Sequence, residues 1–176
     1  MGTRMRIVVG VETEAEFQAI SEALLNEVER MDGMLSTWDS TSTMSRANQA
    51  PHHLTIPLPG ELAEILGEAL AWVPLTHDAF DPGVGALVDA WDLRGPGRLP
   101  DQGTLLSARA VSGSHLFRLT GGPRPSLTRL SSGAWLDTGG FGKGAALRAA
   151  ARRISGKGHP SSRMMPRSQN LSLIHI

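Results

Sequence analysis

The sequence contains no cysteine, which removes disulfides, thiolate nucleophiles and thiolate zinc sites together. It has no excess of either charge. Its 17 Lys and Arg stand against 17 Asp and Glu, which argues against a nucleic-acid protein or a polybasic membrane binder. No apolar run approaches the roughly 18 residues of a membrane span. Residues 1–6 carry no apolar stretch of the signal-peptide kind, and Arg6 stands where a myristoylation signal needs Ser or Thr. Read as written, the chain is cytoplasmic. The histidines lack metal spacing, since His52 and His53 are adjacent and point apart. No Gly-x-Ser-x-Gly elbow is present either, so a histidine metal site and a serine hydrolase are both disfavoured.

What remains is an ordinary globular composition. The chain has 176 residues, 40% of them hydrophobic, enough for one domain with a real core. Residues 6–11 are β-branched and read as a strand. Thr13, three residues before Glu16, opens a helix in a capping-box arrangement. Ala15, Ala19, Ala23, Leu24, Val28, Met31 and Leu35 then recur at helical spacing, predicting a face packed on a sheet. Residues 36–50 are polar and read as a loop carrying Trp38. Residues 59–72 form a second amphipathic helix with Leu62, Ile65, Leu66 and Ala69 inward, and Pro74 ends it. A turn at Asp81-Pro82-Gly83 leads to a short helix ending near Trp91. Asp101 caps a helix over 101–109. Residues 115–119 and 126–130 are strands joined by a turn, 134–137 a third short strand, and 142–154 a last helix. Mixed elements without strict βαβ repetition give an α/β or mixed α+β fold.

Residues 155–176 differ in kind. They hold three basic residues, no acidic one and no periodicity, and read as a disordered or non-native tail. The folded region is therefore expected over residues 1–154.

The chemistry-bearing segment is Leu136-Asp137-Thr138-Gly139-Gly140-Phe141-Gly142-Lys143-Gly144. A strand feeding glycines and a lysine into a helix start reads as a phosphate cradle, or as a turn whose glycines only permit close packing. Walker A spacing fails, because Asp137 occupies the first glycine position and Gly144 the Ser/Thr position. The glycines also miss the dinucleotide fingerprint. The folded region holds a single lysine, Lys143, in this turn. Asp81, held extended before Pro82, either aims at a ligand or closes an Asx-turn. Trp38 either stacks on a flat ring or packs over the fold.

Taken in order, Met1-Gly2-Thr3, Leu35-Ser36-Thr37-Trp38, Ser45-Arg46-x-Asn48, Ala79-Phe80-Asp81-Pro82-x-Val84-Gly85-x-Leu87-Val88-x-x-Trp91 and Leu136-Asp137-x-Gly139-Gly140-x-x-Lys143-Gly144 form a specific set. The series resembles the ApbE-like family of FAD:protein FMN transferases over residues 1–154. Gly83 stands where that family has Thr, Thr138 where it has Leu, and Phe141-Gly142 where it has Ile-Ala.

The resemblance implies a Mg²⁺-dependent enzyme that cuts FAD and attaches FMN to a Thr or Ser hydroxyl of a target protein in a membrane redox complex. It implies that Met1, Trp38, Ala79, Phe80, Asp81, Asp137 and Lys143 contact FAD, with Trp38 near the flavin ring. A turn carbonyl, at Gly140, becomes one Mg²⁺ ligand. It further implies that the chain is the FAD-side part of such a transferase, lacking the segment that brings the other metal ligands and so inactive by itself. The alternative is a non-catalytic FAD-binding module. Met1 falls on the family's internal Met-Gly-Thr, which leaves export or lipid anchoring of the parent protein open.

Overall fold

A computed structural model describes residues 10–155. The expected strand over 6–11 and Met1 lie largely or wholly outside those residues. Helix α1 (Glu14–Leu35) starts where Thr13 accepts a hydrogen bond from the Glu16 amide (3.2 Å). The Glu16 carboxylate reaches back one residue further than a capping box does, to the Glu12 amide (3.2 Å). Then come α2 (Thr43–Gln49), β1 (Thr55–Pro57), α3 (Gly60–Leu75) and α4 (Gly85–Ala90). The chain continues through α5 (Gln102–Ala110), a 3₁₀ turn (Ser114–Leu116), β2 (Phe117–Thr120), β3 (Ser126–Arg129) and α6 (Gly142–Ser155).

Among the described residues, three strands make one antiparallel sheet in the order β1-β3-β2. The fold is thus α+β, the mixed form of the expectation. Strand β1 was not foreseen: three residues ending in Pro57 give no alternation to read, and they become a strand only as an edge beside β3.

The α1 face reaches the described sheet only toward its end, where Met31 and Leu35 share a core with Phe117 of β2 and Leu127 of β3. Its main partner is α6, and Ala15 and Ala19 stay exposed. The reason lies in α6, where Ala145, Ala146 and Ala150 are buried; small side chains let two helix axes approach closely. Ile20 and Leu24 meet Ala150 in a small cluster. Met31 and Leu35, further along α1, join Met44, Leu62, Leu66 and Leu136 in the main core. Each of these six is essentially fully buried, which contributes about 1.5–3 kcal/mol apiece. The inward face of α3 is Leu62, Ile65, Leu66 and Ala69, as its periodicity predicts, although the helix runs on through Pro74 to Leu75.

The polar stretch 36–50 contains α2, a helix where a loop was expected. Thr, Ser and Asn have low helix propensity, so tertiary contacts must supply the stability. Met44 is fully buried, and Ser42 caps the helix by accepting from the Ser45 amide (3.0 Å). Ser42 also donates to the Ser36 carbonyl, which locks α2 to the end of α1.

Among the described residues, 134–137 have no strand partner, where a strand was expected. Asn48 takes the place of a neighbouring strand. Its side-chain amide donates to the Leu136 carbonyl and accepts from the Leu136 amide, both at 2.9 Å. The Asp137 amide donates to the Pro82 carbonyl (2.8 Å), and the Gly85 amide to the Trp135 carbonyl (3.2 Å). A buried backbone must place its polar groups somewhere, and here a side chain and a turn receive them.

Candidate functional site

Three loops converge where residues 134–141 leave the core: the segment after α1, the segment before α4, and the segment after α4. Each is fixed locally. Ser36 accepts from the Trp38 and Asp39 amides (both 3.3 Å), turning the chain sharply after α1. His77 and Asp78 adopt φ of 51° and 61°, an uncommon left-handed pair of non-glycine residues, and redirect the chain out of α3 into Ala79-Phe80-Asp81.

The Asp81 carboxylate is committed to the backbone. One oxygen accepts from the Gly83 amide (2.7 Å), the other from the Ser114 amide (2.8 Å). This is the Asx-turn reading of the motif, extended by a second bond that ties the turn to the 3₁₀ segment. Gly83 suits this arrangement, since a Cβ there would lie 2.5 Å from the Gly113 carbonyl carbon.

Asp137 stands at the mouth of the glycine turn. One oxygen accepts from the Gly139 amide (2.9 Å); the other lies 3.5 Å from the Thr37 hydroxyl and 3.8 Å from Arg94 Nη2. The buried Thr138 hydroxyl donates to the Leu35 carbonyl (2.8 Å), and the Thr138 carbonyl accepts from the Phe141 and Gly142 amides (3.1 and 2.7 Å). The amides of residues 139, 141 and 142 therefore serve the turn itself rather than standing bare around an anion. Lys143 and Gly144 are exposed at the start of α6.

Trp38 is 65% exposed, and the residue behind it is Arg94. The guanidinium carbon lies 5.3 Å from the Trp38 ring centre and 4.4 Å from that of Trp135. Arg94 Nη1 donates to the Thr37 carbonyl (2.6 Å). The indole N–H of Trp135 donates to Asp89 (2.9 Å). Phe80 lies against Gly140 and meets Phe141 edge-to-face at 6.4 Å. Gly140, Phe80 and Phe141 also line an open, largely apolar groove of about 440 Å³ between α3 and α6, with Trp72 on its wall.

Of the residues singled out in the sequence, Trp38 and Asp137 thus share Arg94 as a neighbour, and Phe80 and Gly140 touch. Asp81 stabilises the intervening turn. Ala79 and Lys143 are exposed, and Met1 lies outside the described residues. Arg94 and Trp135 went unforeseen as site residues. Trp135 borders the glycine motif and was open to notice; nothing in spacing separates Arg94 from the other arginines. Among the described residues, no cluster of three or more His, Asp or Glu could hold a metal ion.

An α+β domain thus gathers an exposed indole, a carboxylate and a glycine turn at one loop cluster. The profile of the ApbE family matches residues 1–162, and the chain belongs to that family. It is 29% identical over 163 residues to an FAD:protein FMN transferase of Klebsiella pneumoniae, covering 90% of this chain and 46% of the relative. Its fold is similar to that of the ApbE protein of Thermotoga maritima, with a TM-score of 0.79 and 27% identity over 88% of this chain and 50% of the other. The apo flavinyl transferase ApbE of Pseudomonas stutzeri shares the fold at a TM-score of 0.75 and 22% identity, covering 88% and 48%. The chain spans about half the length of the curated relatives it matches over most of its own length.

Proposed function

We propose that this chain is the FAD-side part of an FAD:protein FMN transferase. In the reaction, an acceptor Thr or Ser oxygen bonds to the FMN-side phosphorus. The bond to the bridging diphosphate oxygen breaks, AMP departs, and the hydroxyl proton is lost. In-line positioning of the hydroxyl is the main demand of such chemistry. The observation that carries the reading is the exposed Trp38 face set beside Asp137 and the glycine turn, a flat shelf next to a polar turn, as a flavin joined to a diphosphate requires. Family membership and the names of the relatives support it. An acceptor subunit in a membrane redox complex, and work outside the cytoplasmic membrane, belong to the same reading.

Magnesium is part of that reading too, but the described residues do not complete a site for it. Mg²⁺ favours near-octahedral oxygen coordination, and the Gly140 carbonyl has no cluster of carboxylates beside it. The same observation favours the second reading, a module that binds FAD without cleaving it.

Titrating the full chain with FAD, with and without Mg²⁺, and then adding a Thr-containing acceptor peptide separates the two. Covalent flavin on the peptide supports transfer by this chain; saturable binding without transfer supports the module. A folded chain that binds no FAD overturns both.

A further inference from the structure

Arg94 is an expensive residue where it stands. Its Nε and Nη2 are buried without hydrogen-bond partners, and leaving such donors unpaired disfavours the folded state. An apolar side chain would fill the gap between two indoles without that penalty. What the guanidinium adds is a flat cation. It faces both rings, holds the Thr37 carbonyl, and stands 3.8 Å from the Asp137 carboxylate. The tier beneath it is rigid: Trp135 is tied by its N–H to Asp89 and rests directly on Gly85. Gly85, Trp135, Arg94 and Trp38 are therefore in successive contact, anchored at Trp135 and open at Trp38, which is 65% exposed.

We propose that Arg94 is a positioning residue: with its guanidinium over both the Trp135 and Trp38 rings and near Asp137, it fixes the outward face of Trp38 as a shelf for a planar heteroaromatic ring and holds Asp137 at the edge of that shelf. For the ring to be the flavin of FAD, the inference rests on the function proposed above; the pose of Trp38 does not. Cation–π contacts at partly desolvated sites are strong enough to hold an indole, and Arg alone presents a flat face together with donors on both edges.

The test compares Arg94→Met, which keeps length without charge, with Arg94→Lys, which keeps charge without the planar fork. Without ligand, acrylamide quenching of the emission that Trp38→Phe removes should rise in Arg94→Met. Unchanged quenching overturns the proposal, whether or not the wild type binds FAD. In an FAD titration, Arg94→Met should lose about tenfold in affinity, and Arg94→Lys should recover only part of it. In a Trp38→Ala background the Arg94→Met loss should vanish, because the residue acts through that ring. Additive losses would mean a general packing role and overturn the proposal. If Arg94→Met does not fold, Arg94→Lys carries both measurements, with the same direction expected. Failure of the wild type to bind FAD overturns only the functional reading and leaves the quenching comparison to decide the role of Arg94.

Discussion

Trp135 lies so close over Gly85 that a Cβ on residue 85 would sit 2.1 Å from the indole Cδ2, while the Gly85 amide donates to the Trp135 carbonyl. One residue thus opens α4 and supports the floor of the aromatic stack. Gly85→Ala forces a move of ring or backbone, because the clash involves a bulky indole and not the tip of a flexible chain. It should destabilise the fold by about 3 kcal/mol, at the upper end of overpacking effects. The check is a urea midpoint that falls while the slope of the transition stays constant. A destabilisation below about 0.5 kcal/mol would show that the stack has slack.

Asp81 offers a test of what a motif carboxylate is for. Both its oxygens receive backbone amides, so Asp81→Asn presents an NH₂ group to one N–H donor and leaves that amide without its acceptor. Stability should fall by about 1–3 kcal/mol, with any loss of FAD affinity following from the altered turn. An unchanged melting temperature together with a large loss of affinity would instead make Asp81 a direct ligand contact.

How far the sequence could be read depended on where each element's stability comes from. Helices α1, α3, α5 and α6 carry their own caps or apolar periodicity, and Asp101 caps α5 as expected by accepting from the Thr104 amide (2.9 Å). Helix α2 depends on Met44 filling the core and on Ser42 gripping Ser36, neither visible in a run of Ser and Thr. Segment 134–137 looked like a strand because it is extended and apolar, but its partner is the side chain of Asn48, far away in sequence. The site divides in the same way. The glycine motif, Trp38 and Asp81 stood out by composition and order, whereas Arg94 matters only because folding brings both Trp38 and Trp135 against its guanidinium.

The charge network on the far side of α1 predicts an acid dependence. Arg30 bridges Glu27 on its own helix and Glu61 on α3, each at 2.6 Å. The Arg30 hydrogen bond holds the Glu27 carboxyl below its usual value of 4.5. A carboxyl more acidic in the folded state stabilises the fold above its unfolded value, and that stabilisation disappears as the pH falls through the folded value. Glu27→Gln should therefore lower stability at neutral pH, match the wild type in strong acid, and flatten the decline that sets in as the pH falls below the usual carboxyl value of 4.5. Parallel pH curves for the two proteins would remove Glu27 from the account.

Lys143 is the last discriminating residue. It is exposed at the first turn of α6, where neither core packing nor an ion pair explains it. The N–H groups at 139, 141 and 142 are engaged within the turn, so a phosphoryl group arriving here depends more on the lysine charge than on a backbone cradle. Lys143→Ala should leave the unfolding free energy within about 0.5 kcal/mol of wild type, as surface changes do. It should weaken FAD binding by about tenfold, in line with the loss of one charge-assisted bond, and reduce the dependence of binding on salt. Arg would restore the charge with a bulkier, planar head, so Lys143→Arg should recover binding incompletely. Unchanged affinity and salt dependence in Lys143→Ala would reduce the glycine turn to a packing device, and the site would then rest on the Trp38 shelf alone.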